Sequence, residues 1–393
     1  MNFINTLSDK KIILDRFLSY VKICTTSNSE NADKGIQPST TQQFALANFL
    51  VAELKTLGAI DVQITEHCYV YAKIPATKGF ENIPPFALLA HLDTSEEVSG
   101  KNIKPILTET NGDTIITSDG TTLLGADDKA GITAIMSTLE YLYNHKEINH
   151  GVIEICFSPD EETGHGMDNV PLHLITSKRA YTVDGGDLGE LETECFNAYK
   201  TEVHFEGVSC HTGTAKGKMI SAIRMASHFI TNLPTNELPE TTEGYQGFYA
   251  PLNMTCSIEN AKIIMILRDF TTDGIENKKS IIEKLAKETA ELFNGKFNVY
   301  HELQYLNMKD ELSKYPEIVN DLIKAYELSQ IKPKFIPIRG GTDGSRLTEI
   351  GIPTPNIFTG GHDFHSKTEW CSLNQLSKAV DVLINLALVI SKS

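Results

Sequence analysis

The residues that could do chemistry begin with a pair. Glu161 and Glu162 stand side by side in SPDEETGHG (158–166), at the end of an apolar run from Gly151 to Ser158. Adjacent carboxylates there repel each other unless a positive partner sits between or beyond them. Four further residues lie at the ends of similar runs or in loops: His91 after Phe86–Ala90, Asp127 in GADDKAG, Asp184 in AYTVDGG and His365 in GHDFHSK. Two divalent ions held by imidazole and carboxylate need a shared bridging carboxylate and about one imidazole each. His91, Asp127, Glu162, Asp184 and His365 are the candidates. Asp127, Asp184, Glu161 and Glu162 in one crevice would concentrate negative charge that two Zn²⁺ ions would balance. Without metal, several would have to take up protons near neutral pH. Asp93 follows His91 by two residues, so in an extended chain both side chains point the same way. A carboxylate beside a ligating imidazole is the usual device that fixes its tautomer. Neighbours in a strand face opposite sides. One glutamate would therefore ligate, and the other would stand just outside, placed to take a proton from a water at the metals. Spacing alone does not say which.

Each residue also has a plainer reading. A lone His91 would be a core or surface histidine. Asp127 and Asp128 could cap the helix that follows, a role better suited to Asp128. Glu161 and Glu162 could form a solvated turn, although VIEICFSP directly before them argues otherwise. Asp184 could be a turn residue. His362 competes with His365 but reads as a loop residue, and His165 reads as facing solvent or a cleft wall. Cys210 and His211 are discounted as a nucleophile pair, because adjacent residues rarely present their side chains to one another. RGGTDG (339–344) lacks the Gly-Lys-Ser/Thr ending and the helix start of a phosphate loop, so it reads as a substrate-binding loop. Arg268, on an apolar strand, would be costly to bury unpaired. It pairs near Asp269 or meets an anionic ligand.

The elements that must position these residues follow from periodicity. Helical spacing covers 9–23 and the stretch from Ser39 or Thr40 to Gly58; residues 24–38 read as a polar loop. DVQITEHCYVYAKIP reads as a strand pair, and Phe86–Ala90 as a strand buried on both faces. A hairpin-like segment over DTIITSDGTTLLG leads to a helix from Asp127 or Asp128 to about His145. Two more buried strands follow, each with an acidic end. Such alternation predicts an α/β layered sheet with sites at the carboxyl ends of its strands. Near residue 196 the character changes. Residues 197–307 read as self-contained α+β material, with strands over 201–209 and 261–270 and helices over 219–233 and 276–295. From 308 the α/β pattern resumes: a helix over 316–329, strand KFIPI, the glycine-rich loop, strand TPNIFTGG and a final helix over 373–391. The expected domains are 1–196 with 308–393, and 197–307 inserted between them.

The bulk composition bounds the rest. The chain has 393 residues and a formal net charge of −16. That balance argues against a nucleic-acid partner, whose phosphates need a basic face. The seven cysteines are scattered without a C-x-x-C pair and read as free thiols in a reducing compartment. The N-terminal stretch is amphipathic and lacks the apolar core of a signal peptide. No segment reads as the roughly 18 apolar residues a membrane span needs. A cytoplasmic protein without a membrane partner is the expectation.

Together these stretches carry a resemblance: HLDTS (91–95), TTLLGADDKAG (121–131), SPDEETGHG, YTVDGG (181–186), HTGTAKGKM (211–219), ILRDF (266–270), RGGTDGSRL (339–347) and FTGGHDFHSKTEW (358–370). In this order, and spanning nearly the whole chain, they resemble the peptidase T family. These are the tripeptide aminopeptidases, within the wider family of two-zinc aminopeptidases, carboxypeptidases and deacylases. The resemblance implies an α/β catalytic domain, with a central mixed sheet flanked by helices, interrupted by a smaller α+β lid domain. It implies two zinc ions per chain, with manganese or cobalt as substitutes. His91, Asp127 and Asp184 would hold one ion. Asp127, Glu162 and His365 would hold the other, with Asp127 bridging. Glu161 would be the general base, Asp93 the partner of His91, and His211 the stabiliser of the oxyanion. Arg268 and Arg339 would receive a peptide carboxylate. The activity implied is removal of the N-terminal residue from tripeptides by a di-zinc-activated water, with short peptides as substrates and a homodimer among the expected assemblies. The alternatives are a dipeptidase, carboxypeptidase or N-acyl-amino-acid deacylase with the same site, or a catalytically silent metal-binding protein. The chain departs from the family pattern in one place. The segment between HLDTS and TTLLGADDKAG is short, which bears on substrate length and leaves the expected ligands untouched.

Overall fold

The computed structural model describes residues 10–392; Asp9, the first residue of the expected N-terminal helix, lies outside them. In chain order the elements are α1 (Lys10–Val21), α2 (Ser29–Ala32), α3 (Gln43–Thr56), β1 (Ile60–Ile64), β2 (Val70–Ile74), β3 (Phe86–His91), β4 (Ile106–Thr110), β5 (Asp113–Thr117), α4 (Ala126–Asn144), β6 (Ile153–Ser158), β7 (Ala180–Gly185) and β8 (Glu190–Glu192). Then come β9 (Asn197–Glu206), α5 (Ala222–Thr231), β10 (Phe248–Cys256), β11 (Asn260–Asp269), α6 (Thr272–Phe293) and β12 (Lys296–Tyr305). The chain closes with α7 (Lys309–Leu312), α8 (Pro316–Leu328), β13 (Lys334–Phe335), α9 (Asp343–Glu349), β14 (Asn356–Phe358), β15 (Gly361–His362), β16 (Trp370–Ser372) and α10 (Leu373–Ile390).

These elements form two compact units. The first holds the described residues up to Thr193, Met308–Ile336 and those from Thr342 on. Its main sheet is mixed, in the order β1-β2-β6-β3-β7-β14-β8-β13. The centre, β6-β3-β7-β14, is parallel. Its strands are buried on both faces, which explains their unbroken apolar runs. Leu88 and Ala90 of β3 face one core with Val183, Ile155 and the apolar sides of α1, α4 and α10. Ala87 and Leu89 face the other, with Tyr69, Tyr71, Leu347 and Ile352. The register sets His91 opposite Ser158 and Leu89 opposite Thr182, so the carboxyl ends of β6, β3 and β7 finish side by side.

Three expectations are corrected here. The hairpin is β4–β5, turning at Asn111-Gly112 with φ of 52° and 76°. It lies upstream of the segment expected to form one, and an Asn-Gly pair at positive φ is the favoured two-residue hairpin turn. Half of the glycine-rich stretch is helical: Thr342 accepts the Ser345 N–H and starts α9. Finally, α10 is long and apolar enough to cross a membrane by length and composition, but 78% of it is buried within the protein. Its apolarity is that of a core helix.

The second unit is Glu194–Asn307 with Pro337–Gly341, a pentapeptide expected to belong to the first. Its sheet runs β10-β11-β9-β12, antiparallel throughout. Residues Val203, Phe205, Ile263, Met265 and Leu267 on alternate positions pack against Met225 and Phe229 of α5 and Ile282 and Ala286 of α6.

Candidate active site

The site lies at the carboxyl ends of β6, β3 and β7 in the first unit. His91 is the last residue of β3 and is 2% exposed. Its Nδ1 lies 3.1 Å from the Asp93 carbonyl oxygen and 3.3 Å from the Asp93 carboxylate. Two acceptors there place the neutral ring's proton on Nδ1 and leave Nε2 as a donor atom for a cation. Nε2 points at Asp127 Oδ1, 2.7 Å away, and at Asp184 Oδ1, 3.5 Å away. The second imidazole, His365, presents Nε2 to Asp127 Oδ2 at 3.3 Å and to Glu162 Oε2 at 2.8 Å. Asp127 therefore has one oxygen on each imidazole.

The glutamate pair has left the strand. Asp160 takes φ of 58°, and Glu161–Thr163 form one turn of 3₁₀ helix. The alternation that would separate the two side chains no longer applies, and both reach the cluster. Potential ligand atoms of His91, Glu161 and Asp184 lie within 4.8 Å of one another, as do those of His91, Asp127 and Glu162. Glu161 thus falls inside a ligand-sized group, whereas strand alternation predicts one glutamate outside it.

Three carboxylates absent from the expected set, or given a narrower part in it, hold this turn. Asp93 accepts the N–H groups of Glu161 at 3.0 Å and Glu162 at 3.2 Å, one on each oxygen. It was expected only beside His91. Asp160 accepts from the Ser39 backbone and hydroxyl and from Gln43. Asp343 accepts from the Ser158 hydroxyl. A Cβ on Gly166 would stand 2.1 Å from its Oδ1, so the far end of SPDEETGHG requires glycine for that carboxylate to fit. Asp128 serves the backbone, taking the N–H of His91 at 3.2 Å and of Gly131 at 3.0 Å. Asp160 stands within the acidic run itself, and that position was its only signal in the sequence. Asp343 had none apart from its glycine-rich surroundings.

The electrostatics follow from burial. Burial pushes the Glu161 carboxyl well above its ordinary range, and pushes Glu162 up to about 8, Asp184 to about 6 and Asp343 to about 7. Burial would raise Asp127 too, but bonds from His365 and His91 outweigh it and hold the carboxyl low. The His365 ring is raised to about 11 by Asp127 and Glu162. A set of buried carboxylates that the protein's own cations only partly neutralise, with two imidazole nitrogens turned inward, fits divalent cations.

Residues 87–389 match the family model described as peptidase family M20/M25/M40. The chain belongs to peptidase family M20/M25/M40. Peptidase T of Listeria monocytogenes is 43% identical over 96% of this chain and 98% of its own. Peptidase T of Clostridium perfringens is 42% identical over the same shares. Among solved structures, a Staphylococcus aureus tripeptidase superposes with a TM-score of 0.83 at 22% identity, covering 98% of this chain and 99% of that one. The aminopeptidase PepT of Bacillus cereus gives 0.79 at 23%, covering 97% and 98%. The fold is thus shared over nearly the full length.

As an M20 protein the chain is a hydrolase, and the remaining expected site residues lie in its second unit. His211 is exposed, and its Nδ1 accepts the Gly213 N–H at 3.2 Å. Arg268 is 8% exposed. It donates to the carbonyls of Leu267 and Tyr199 and to Gln304 Oε1, with its guanidinium over the Tyr305 ring. Arg339 donates to the carbonyls of Gly244, Gln246 and Thr242 and to the Thr242 hydroxyl, and stacks over Phe196 and Phe248. In this arrangement Arg268 ties together strands β9, β11 and β12, and Arg339 fastens the loop over 242–246. His362 stacks on Trp370 at 3.9 Å, and His165 lies 2.6 Å from Asp168; each is occupied away from the cluster.

Proposed function

We propose that the chain is a metal-dependent aminopeptidase that releases the N-terminal residue of tripeptides. The observation that carries this reading is the Asp127 carboxylate, with one oxygen on His91 and the other near His365, beside the Glu161–Glu162 turn. His91, Asp127 and Asp184 would hold one divalent cation, and Asp127, Glu162 and His365 the other; imidazole and carboxylate donors suit zinc, and manganese or cobalt would also fit. Bound there, the cations supply Lewis acidity, which lowers the pKa of water and polarises a carbonyl. Glu161 accepts the proton of the attacking water and delivers it to the leaving amine nitrogen as the peptide C–N bond breaks. Asp93 keeps the His91 proton on Nδ1 and holds the glutamate turn by its backbone. His211, whose Nδ1 accepts from Gly213, carries its neutral-ring proton on Nε2, the donor an oxyanion needs. Arg268 and Arg339 would receive a peptide's terminal carboxylate by exchanging some of their bonds to backbone carbonyls. The seven cysteines are all free, which supports a reducing, cytoplasmic setting.

The test is a panel of unblocked tripeptides, dipeptides, N-blocked tripeptides and N-acetyl amino acids, assayed before and after chelation with metal content measured on the same samples. Cleavage restricted to unblocked tripeptides, lost on chelation and restored by metal, is expected. Preferred cleavage of N-acetyl amino acids would replace this reading with a deacylase.

A further inference from the structure

Asp128 caps the body of α4 by accepting the Gly131 N–H, but the backbone over 124–127 that leads into it has no such local acceptor. Gly125 stands at its N-cap with φ of 78°, contributes no side chain, and the next residues carry Asp127 into the site. The missing acceptor comes from far along the chain. Glu369, 1% exposed, takes the N–H of Leu124 at 2.7 Å and of Gly125 at 2.8 Å on one oxygen, and the N–H of Asp127 at 3.1 Å on the other. Three backbone donors on one buried carboxylate form a charge-assisted clamp at a helix start. The same short loop carries His365 four residues earlier, and His365 reaches the Asp127 and Glu162 side chains. The loop is closed on itself, with the Glu369 N–H directed at the Ser366 carbonyl. One five-residue segment therefore grips Asp127 twice, by backbone through Glu369 and by side chain through His365.

We propose that Glu369 is a positioning residue for metal binding: it fixes the backbone of Asp127 and ties it to His365, so that the two ligands of one cation move as a unit. This rests on the reading of Asp127 and His365 as ligands. Removing the clamp leaves every ligand in place but loosens two of them relative to each other. The loss should fall chiefly on the cation shared by Asp127, Glu162 and His365, and less on the one sharing the strand-borne His91 and Asp184.

The experiment is a zinc titration of the full-length, metal-stripped protein in competition with a chromophoric chelator, for wild type, Glu369→Gln and Glu369→Asp. Glu369→Gln preserves the volume and one acceptor oxygen, and far-UV circular dichroism checks that it folds. Glu369→Asp keeps the charge on a shorter arm and stands in should Glu369→Gln fail to fold. The expected result is a two-ion isotherm for wild type in which one step weakens ~10–100-fold in Glu369→Gln, the range typical of outer-shell partners, and by less in Glu369→Asp. Two unchanged steps would overturn the inference. So would a lowered melting temperature of the metal-free variant with unchanged zinc competition, since that is the signature of a helix cap alone. Wild-type protein that binds no zinc, manganese or cobalt would overturn the metal reading itself, and the inference with it.

Discussion

The site has two sides built in different ways. His91 and Asp184 project from β3 and β7, strands locked into a doubly covered sheet, and His91 is backed by the fully buried Asp93. Asp127, Glu162 and His365 come from a helix start, a 3₁₀ turn and a loop residue at φ of 58°. His365 is backed by Glu97, whose side chain is 64% exposed. A strand end inherits its position from the core, whereas a loop end must be held by bonds of its own. The carboxylates that serve backbone N–H groups here answer that need: Glu369 holds Asp127, Asp93 holds both glutamates, and Asp160 anchors the same turn to Ser39 and Gln43.

The largest break in this contrast should come from Asp127→Ala, which touches both sides at once. Metal analysis should find both ions lost together and tripeptide turnover abolished; two ions per chain in this variant would remove Asp127 from the bridging role. Asp93→Ala should follow. It strips an acceptor from His91 and both acceptors from the glutamate turn, so metal affinity or turnover should fall by ~10–100-fold. The corresponding change on the loop side, Glu97→Ala, should be much smaller. An exposed ion pair contributes about 0–1 kcal/mol, so turnover should change no more than a few-fold. Equal losses in Asp93→Ala and Glu97→Ala would erase the distinction between the buried partner of His91 and the exposed partner of His365.

Glu192 offers a finer test on the strand side. Its carboxyl accepts from Asn356, whose own oxygen accepts the Asp184 N–H at 3.0 Å. Burial raises it from 4.5 to about 8. A raised folded-state value means the folded protein binds the extra proton, so this contribution to stability is full below 4.5 and is lost as pH rises towards 8. Glu192→Gln removes that dependence. Urea unfolding should show the variant gaining on wild type as pH rises from about 5 to about 8; a pH-independent difference would contradict the assignment.

The same contrast separates what could be read from the sequence from what could not. Phe86–His91 and Ala180–Gly185 are apolar because both faces are covered, and such runs announce both the strand and the residue at its end. The loop side has no comparable signature. Glu369 acts on a residue 242 positions away, and no local pattern marks a distant carboxylate as a helix cap. Asp343 looked like part of a glycine-rich loop because Gly340 and Gly341 obscured the Thr342 cap that starts α9. Pro337–Gly341 groups with the second unit for a related reason: its membership depends on Arg339 bonding to Thr242, Gly244 and Gln246, contacts with no sequence period. The hairpin was displaced although Asn111-Gly112 carried its signal in plain view.

One question decides the chemistry of the glutamate pair. Glu161 lies in a ligand-sized group with His91 and Asp184, and it is also the proposed base. Metal content and tripeptide turnover measured on one sample of Glu161→Gln separate the two roles. The expected result is two ions per chain and a loss of turnover of about 10²–10⁴-fold, the contribution of a positioned general base. Loss of an ion would make Glu161 a ligand, and turnover close to wild type would leave the reaction without the base assigned to it.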